Sequence, residues 1–561
     1  MLTFTNLLLD SHKDFAEKEI LVIQQSGEKD ISLTYQELIN QSLHFSKELQ
    51  RNGIKPGDVV IIILQHGLDL IFSYFGCILH GCIPSIMPFL TEKLIPEKYR
   101  GDLAALVSIT KPASIITYEN FQEEVIIALG KNSSVRSIIL VEKVNKKSKY
   151  NLSEIGGLKR SPNDIVLLQH SSGTTGLQKG VALSHQAVYN QMMSYQKAIH
   201  LSSNDVIISW LPLYHDMGLI ACLLIPILLR IKLILMSPFD WIRAPVRLFK
   251  AISDYRGTLC WLPNFAYNFC ASKIRDSQLK DLSFSSLRAV INCSEPIKHE
   301  SHQRFLKKFS PYDLKNSSLA TCYAMAENVF AVTQGGIDSK IVIDEIDRDT
   351  YQSKGIAIPF MNNQPSIKMV SSGNPIDNTQ IKIISDNGHE LPDRHMGEII
   401  IKSNCMLTEF YKRPDETQKA FINDWLKTGD LGYQVDGELF VSGRKKDLII
   451  VGGKNVYPQD LESLAMEVPG VHPGRVVAFG IYNEEIGTEE VVIVAEVEKK
   501  VESIDSLEEM IKENVTRGSS IALRNVYLVN DKWLIKTSSG KISRLANKNK
   551  YLKEFKLINI Q

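Results

Sequence analysis

The ten residues Ser171-Ser-Gly-Thr-Thr-Gly-Leu-Gln-Lys-Gly180 follow closely on an apolar run, Ile165 to Leu168, that reads as a buried strand. Gly173, Gly176 and Gly180 permit tight or positive-φ conformations, so successive backbone N–H groups can converge on phosphate oxygens. The hydroxyls of Ser171, Ser172, Thr174 and Thr175 add donors, and Lys179 adds a point charge. The spacing is not that of the P-loop. Leu177, Gln178 and Lys179 follow Gly176, and Gly180 takes the last place, which disfavours a P-loop kinase or motor ATPase. Read alone, the segment is equally a Ser/Gly loop that binds nothing.

The chain around it alternates between two periodicities. Tyr35 to Asn52, Leu68 to His80 and Ser184 to Ala198 carry helical spacing. Val59 to Leu64, Ser114 to Thr117, Ser137 to Val141 and Asp205 to Trp210 read as strands. Such alternation predicts an α/β fold with parallel sheets and helices on both faces. Lys143 to Tyr150 reads as a basic surface loop. From Ile381 short alternating runs appear, with turns at Asp386-Asn-Gly and Asp436-Gly437, and these predict antiparallel hairpins. A smaller α/β unit follows, with strands Val476 to Ile481 and Glu490 to Val497 and a helix from Ser506. With 561 residues the chain is too long for one core, and a domain hinge is expected close to Lys446.

Composition narrows the function classes. A net charge of +1 gives no footprint for nucleic acid or an anionic membrane. The apolar stretch Leu219 to Met236 is interrupted by Pro226, Arg230 and Lys232, which predicts a buried helix and a core strand rather than a membrane span. Met1-Leu-Thr-Phe-Thr-Asn lacks the basic region of a signal peptide. Eight scattered cysteines include no C-x-x-C pair, so zinc and disulfide frameworks are disfavoured and a cytoplasmic location fits best.

Further segments join the anion loop. They are Leu211-Pro-Leu-Tyr-His215-Asp216-Met-Gly, Cys293-Ser294-Glu295-Pro296, Cys322-Tyr323-Ala324-Met325-Ala326-Glu327, Lys427-Thr-Gly-Asp430, Gly443-Arg444 and Lys536-Thr-Ser-Ser-Gly-Lys541. In this order they resemble the adenylate-forming superfamily of acyl-CoA synthetases, luciferases and peptide-synthetase adenylation domains, from roughly Tyr35 onward. Tyr214-His-Asp-Met-Gly-Leu, Arg444-Lys-Lys-Asp-Leu-Ile-Ile and a long insertion at about Gly335 to Lys368 are similar to the fatty acyl-AMP ligases within it.

The resemblance implies a large N-terminal domain, residues 1–445, with two mostly parallel helix-flanked sheets and a distorted β-barrel. It implies a small mobile α/β domain at 446–561, and an insertion associated with hindered domain movement and poor use of coenzyme A. It implies that ATP and a fatty acid give acyl-AMP and pyrophosphate, and that the acyl group passes to the phosphopantetheine of an acyl carrier protein. Bringing a carboxylate to a polyphosphate rests on positioning and charge neutralisation.

By the same resemblance Lys541 bridges the carboxylate and the α-phosphate, and Glu327 holds Mg²⁺. Tyr323 stacks on adenine opposite the Ser294-Glu295-Pro296 backbone. Asp430 and Arg444 hold the ribose, and Lys446 is the hinge. His215 and Asp216 border the carboxylate end of an acyl tunnel lined by Trp210, Met217, Trp261, Leu262 and Phe265. His215 positions rather than deprotonates, because a carboxylate is already ionised at pH 7. The chain departs from the family at Ile535, His170 and Gln178, where proline, an aromatic and proline are usual. A fatty acyl-CoA synthetase, and a catalytically weak nucleotide-binding sensor, are the alternatives.

Overall fold

The computed structural model describes residues 3–89, 96–130, 133–147, 151–171, 179–361, 365–484, 486–498, 504–519, 521, 523–537 and 541–556. The chain divides into two compact units. One comprises residues 1–341, 373–380 and 402–424, and the other 342–372, 381–401 and 425–561.

The first unit is built on two sheets. A nine-stranded sheet runs from Asn374–Pro375 through Ala331–Gly335, Leu319–Ala324, Ala289–Asn292, Leu259–Leu262, Val206–Ser209, Lys232–Met236 and Glu19–Gln24 to Ile31–Thr34. Its six strands from Leu319–Ala324 to Glu19–Gln24 are parallel. Leu259–Leu262 and Ala289–Asn292 are buried along their whole length, as strands covered on both faces must be. The seven-stranded sheet runs from Glu409–Phe410 through Lys179–Ser184, Ile165–Ser171, Ile83–Ile86, Val59–Ile62 and Ser114–Thr117 to Ser137–Leu140. Lys179–Ser184 returns antiparallel to Ile165–Ser171, with Ser171 opposite Lys179, so both stand at the root of the glycine-rich segment.

Local chemistry sets the helices of this unit. Thr34 and Glu37 form a reciprocal capping box at the start of Tyr35–Arg51. Leu68–His80 stops at Gly81, whose φ of 86° suits glycine. Ser184 Oγ accepts the Ala187 N–H at 3.1 Å and starts His185–Ala198. The apolar stretch after His215 winds as a π-helical segment, Met217–Leu224, then as Ile225–Leu229, and then extends as the core strand Lys232–Met236. Pro226 follows the widened turns; it has no N–H to offer, and its ring would press on the carbonyl four residues back in a regular helix. Among the described residues no helix is long and apolar enough to cross a membrane. All eight cysteines are free and buried.

In the second unit Trp425–Val435 and Glu438–Arg444 form an antiparallel hairpin through Asp436-Gly437, whose φ values are 51° and 83°. An Asp-Gly pair reaches that left-handed geometry at least cost. Gly397–Ser403 pairs antiparallel with Trp425–Val435. Further on, Val471–Asn483 and Thr488–Val497 pair antiparallel, and Asn525–Val529 lies parallel to the latter. The strand period divides this small sheet cleanly. Val476, Ala478, Ile493 and Ala495 face Leu461, Leu507 and Ile511 of the helices Pro458–Met466 and Ile504–Ser519. Val477, Phe479, Val492 and Val494 face Tyr551 of Arg544–Tyr551.

The insertion region is a strand pair, Ile343–Asp347 with Ser366–Val370, carrying the helix Arg348–Lys354. Asp347 caps that helix by accepting the Thr350 N–H at 2.7 Å. Tyr351 is buried against Tyr433, Phe440 and Tyr457, and Arg348 donates to the Gly518 carbonyl. The extended segment that leads toward Lys541 is held from the last helix. Asn547 Oδ1 accepts the Ile535 N–H at 2.8 Å, and Asn547 Nδ2 donates to the Ile535 carbonyl at 2.9 Å.

Candidate active site

Three of the expected segments lie at the carboxyl ends of strands in the nine-stranded sheet, where an open α/β sheet forms its crevice. His215 and Asp216 follow Val206–Ser209. His215 Nδ1 lies 2.6 Å from Asp216 Oδ1, which also accepts the Met217 N–H at 2.7 Å. The Tyr214 carbonyl accepts Gln169 Nε2 at 3.3 Å, a tie to the strand that enters the anion loop.

Ser294, Glu295 and Pro296 follow Ala289–Asn292. Ser294 adopts a left-handed φ of 71°, and its Oγ lies 3.7 Å from Met217 Sδ, so this segment meets the His215 loop. The Glu295 carboxylate turns the other way and accepts the Phe265 N–H at 2.9 Å, at the start of Asn264–Lys273.

Tyr323 and Ala324 end the strand Leu319–Ala324, and Met325 leads into a single turn, Ala326–Asn328, that carries Glu327. Thr333 Oγ1 accepts the Tyr323 N–H at 3.3 Å, and the Phe330 carbonyl accepts the Met325 N–H at 2.8 Å. Val329, next but one to Glu327, has a φ of 64°, a strained value for a β-branched residue. The strain is held by Asn328, whose Nδ2 donates to the Ala331 carbonyl at 2.8 Å, and by the Leu407 N–H, which donates to the Glu327 carbonyl at 2.8 Å. This turn packs against Ile165–Ser171, so Glu327 stands near the root of the anion loop. Its half-buried carboxylate fits a hard cation that takes few protein oxygens and completes its shell with phosphate and water.

Ser172, Gly173, Thr174, Thr175 and Gly176, together with Gln178, lie outside the described residues, as does the side chain of Ser171. Lys179 is described. Its Nζ lies 2.6 Å from Glu416 Oε2 and 5.0 Å from the centre of the Phe410 ring. His170, just before the loop, is half-buried with Nε2 2.6 Å from Ser85 Oγ, and desolvation pushes its pKa down to about 4.

The residues expected to line the acyl chain separate into two groups. Trp261 is wholly buried and donates from Nε1 to Tyr195 Oη at 2.9 Å, and Leu262 is buried beside it in the strand. Both belong to the core of the sheet. Trp210 instead stacks on Trp241, with ring centres 3.6 Å apart and planes 5° from parallel, and Phe265 lies edge-on to both. Phe265 is 43% exposed. Trp241 was not readable as a partner, because it arrives from the neighbouring strand's helix, Pro238–Arg243.

In the second unit Asp430 and Arg444 are paired by strand register, and Arg444 Nε lies 3.0 Å from Asp430 Oδ1. Lys446 sits in the turn Lys445–Asp447 that leaves this hairpin. Lys541 is half-buried; its carbonyl accepts the Thr537 N–H at 2.7 Å, and Lys536 bridges antiparallel to Ile542.

The comparisons with known proteins agree along nearly the whole chain. It is 29% identical, over an alignment of 571 residues covering 97% of this chain and 93% of the relative, to the medium-chain-fatty-acid–[acyl-carrier-protein] ligase JamA of Moorena producens. It is 27% identical to the long-chain-fatty-acid–AMP ligase FadD26 of Mycobacterium bovis, covering 94% of this chain and 93% of that one. A structure from a study of fatty acyl-adenylate ligases of E. coli and L. pneumophila superposes with a TM-score of 0.89 at 26% identity, over 98% of each chain. A fatty acyl-adenylate ligase from L. pneumophila in complex with acyl adenylate and pyrophosphate superposes with a TM-score of 0.76 at 28% identity, over 98% of this chain and 96% of that one. The model of AMP-binding enzymes matches residues 10–411, and the chain belongs to that family.

Proposed function

We infer that this protein is a fatty acyl-AMP ligase. It joins a medium- or long-chain fatty acid to the AMP of ATP, releases pyrophosphate, and hands the acyl group to the phosphopantetheine thiol of an acyl carrier protein. The observation that carries this reading is the meeting of the Ser294 segment with the His215–Met217 loop at the carboxyl ends of two strands that flank Leu259–Leu262, in a chain that aligns end to end with a ligase holding acyl adenylate and pyrophosphate.

The residues then take these parts. A carboxylate oxygen of the fatty acid attacks the α-phosphorus, and the β-phosphate oxygen leaves with the electron pair as pyrophosphate. The anion loop Ser171–Gly176 and Lys179 hold the polyphosphate. Ser294, Glu295 and Pro296 lie along one side of adenine, with Tyr323 to Ala326 on the other. Asp430 offers two acceptors to the ribose diol, and Arg444 orients it. His215, steadied by Asp216, positions the fatty carboxylate. Glu327 holds Mg²⁺, which when bound neutralises phosphate charge. Lys541 arrives as a flexible cation on the segment beyond a hinge at Lys446, with 1–445 as the N-terminal and 446–561 as the C-terminal domain. A cytoplasmic location accords with eight free cysteines.

The competing reading is a fatty acyl-CoA synthetase. The packing of insertion residue Tyr351 on Tyr457, which lies beyond the proposed hinge, favours the ligase, because turning about Lys446 would have to undo it. Fatty-acid-dependent release of pyrophosphate, abolished in Lys541→Ala, tests the first step. Parallel thiol exchange with free coenzyme A and with carrier protein separates the two readings. No pyrophosphate with any fatty acid would end the ligase assignment.

A further inference from the structure

The cation at the root of the anion loop already has a partner. Lys179 Nζ lies 2.6 Å from Glu416 Oε2, with both side chains about two-thirds shielded from solvent. Lys179 holds the Glu416 carboxyl below its usual range. The ammonium also lies over the Phe410 ring at 5.0 Å.

None of these groups is loosely placed. Lys179 is fixed opposite Ser171, and Phe410 is fixed opposite Val181 on the next strand. Thr417 Oγ1 accepts the Phe410 N–H at 2.9 Å and donates to the Arg413 carbonyl at 3.0 Å. This anchors the helix Pro414–Ala420, and with it Glu416, against that strand.

Glu416 therefore occupies the charge that a polyphosphate would claim, and a carboxylate there repels the incoming phosphates. We propose that Glu416 is an intramolecular counter-ion that competes with polyphosphate for Lys179, so that it weakens the binding of ATP and pyrophosphate alike and favours the release of the latter. The proposal rests on the reading of Lys179 as a phosphate ligand. Glu416 acts through Lys179 and is a positioning residue.

The test is calorimetric titration of inorganic pyrophosphate, and separately of ATP with Mg²⁺, into the wild-type chain, Glu416→Gln, Glu416→Ala, Lys179→Met and Lys179→Met/Glu416→Gln. Glu416→Gln should bind pyrophosphate about two- to fivefold more tightly, the range an exposed ion pair commands. The gain should shrink with added salt and vanish when Lys179 is methionine. Glu416→Ala, which keeps no side-chain amide, should bind more tightly than wild type as well. A purely structural role would not couple the two positions in this way.

Unchanged or weaker binding in both Glu416 variants, with Lys179→Met clearly weakened, overturns the competitor and leaves Lys179 as a phosphate ligand. If Lys179→Met binds pyrophosphate as wild type does, Lys179 takes no phosphate, and the competitor falls with it.

Discussion

Arg444 Nε lies 3.0 Å from Asp430 Oδ1 across an antiparallel strand pair, with the Arg444 side chain 52% exposed and that of Asp430 10% exposed. An ion pair whose guanidinium stands open to water adds little to stability, about 1 kcal/mol. The arrangement serves better as a presented pair of acceptors with a guanidinium beside them. Asp430→Asn should therefore raise KM for ATP by about tenfold, the scale of a charged hydrogen bond. The thermal midpoint should barely move. Steady-state kinetics with varied ATP, alongside a melting curve, checks both.

Lys541 is proposed to act only while the anhydride forms. Lys541→Ala should lower fatty-acid-dependent pyrophosphate release by at least about 100-fold, in line with the loss of one preorganised charge. Transfer from supplied acyl-AMP to carrier protein should persist. Single-turnover assays of each half-reaction measure the split.

The stacked pair of Trp210 and Trp241 stands where the acyl chain is proposed to run, with Phe265 edge-on. Trp210→Ala should move the preferred fatty acid toward longer chains. It should also cost roughly 3–5 kcal/mol of stability, as for other buried aromatics. Exchange of ATP with pyrophosphate across a series of saturated acids reads the shift.

Tyr351 ties the insertion to Tyr433 and to Tyr457. Loosening that tie by Arg348→Met, which removes the bond to the Gly518 carbonyl, should raise turnover with free coenzyme A. Turnover with carrier protein should be little changed. Parallel thiol-exchange rates measure the ratio.

Burial pushes the pKa values of His66, His170, His185 and His302 down to about 4. Each stays neutral in the folded protein, while the unfolded chain takes up a proton below about pH 6.5. The unfolded state then binds more protons, and stability falls as pH drops from about 6.5 toward 4. Melting temperatures should decline across that window. His302, whose Nε2 lies 2.9 Å from the Asn292 amide nitrogen, accounts for part of the slope. His302→Gln should flatten it.

Much of the framework was legible because its signals are local. Thr34 with Glu37, Gly81, Ser184 and the Asp436-Gly437 turn each set a boundary through chemistry within a few residues. The C-terminal strands likewise follow a period of two. What escaped depends on chain brought from afar. Phe4–Phe15 and Glu19–Gln24 precede the readable alternation, yet the latter pairs with Lys232–Met236. Trp261 carries the composition of a pocket wall, but its donor finds Tyr195 and it belongs to the core. Glu416 reads as an ordinary first-turn acid with Lys419 one turn on, and the strand beside Lys179 brings it to a second cation from far along the chain.

Ile535 stands where the family resemblance leads one to expect proline, and its N–H is spent on Asn547. A proline stiffens a lever by ring geometry alone and has no proton to give. Here the stiffness of the arm that carries Lys541 is delegated to a side chain on another element. Isoleucine and asparagine thus form a matched set: restoring proline would strand the amide oxygen, and trimming the asparagine would leave a slack arm.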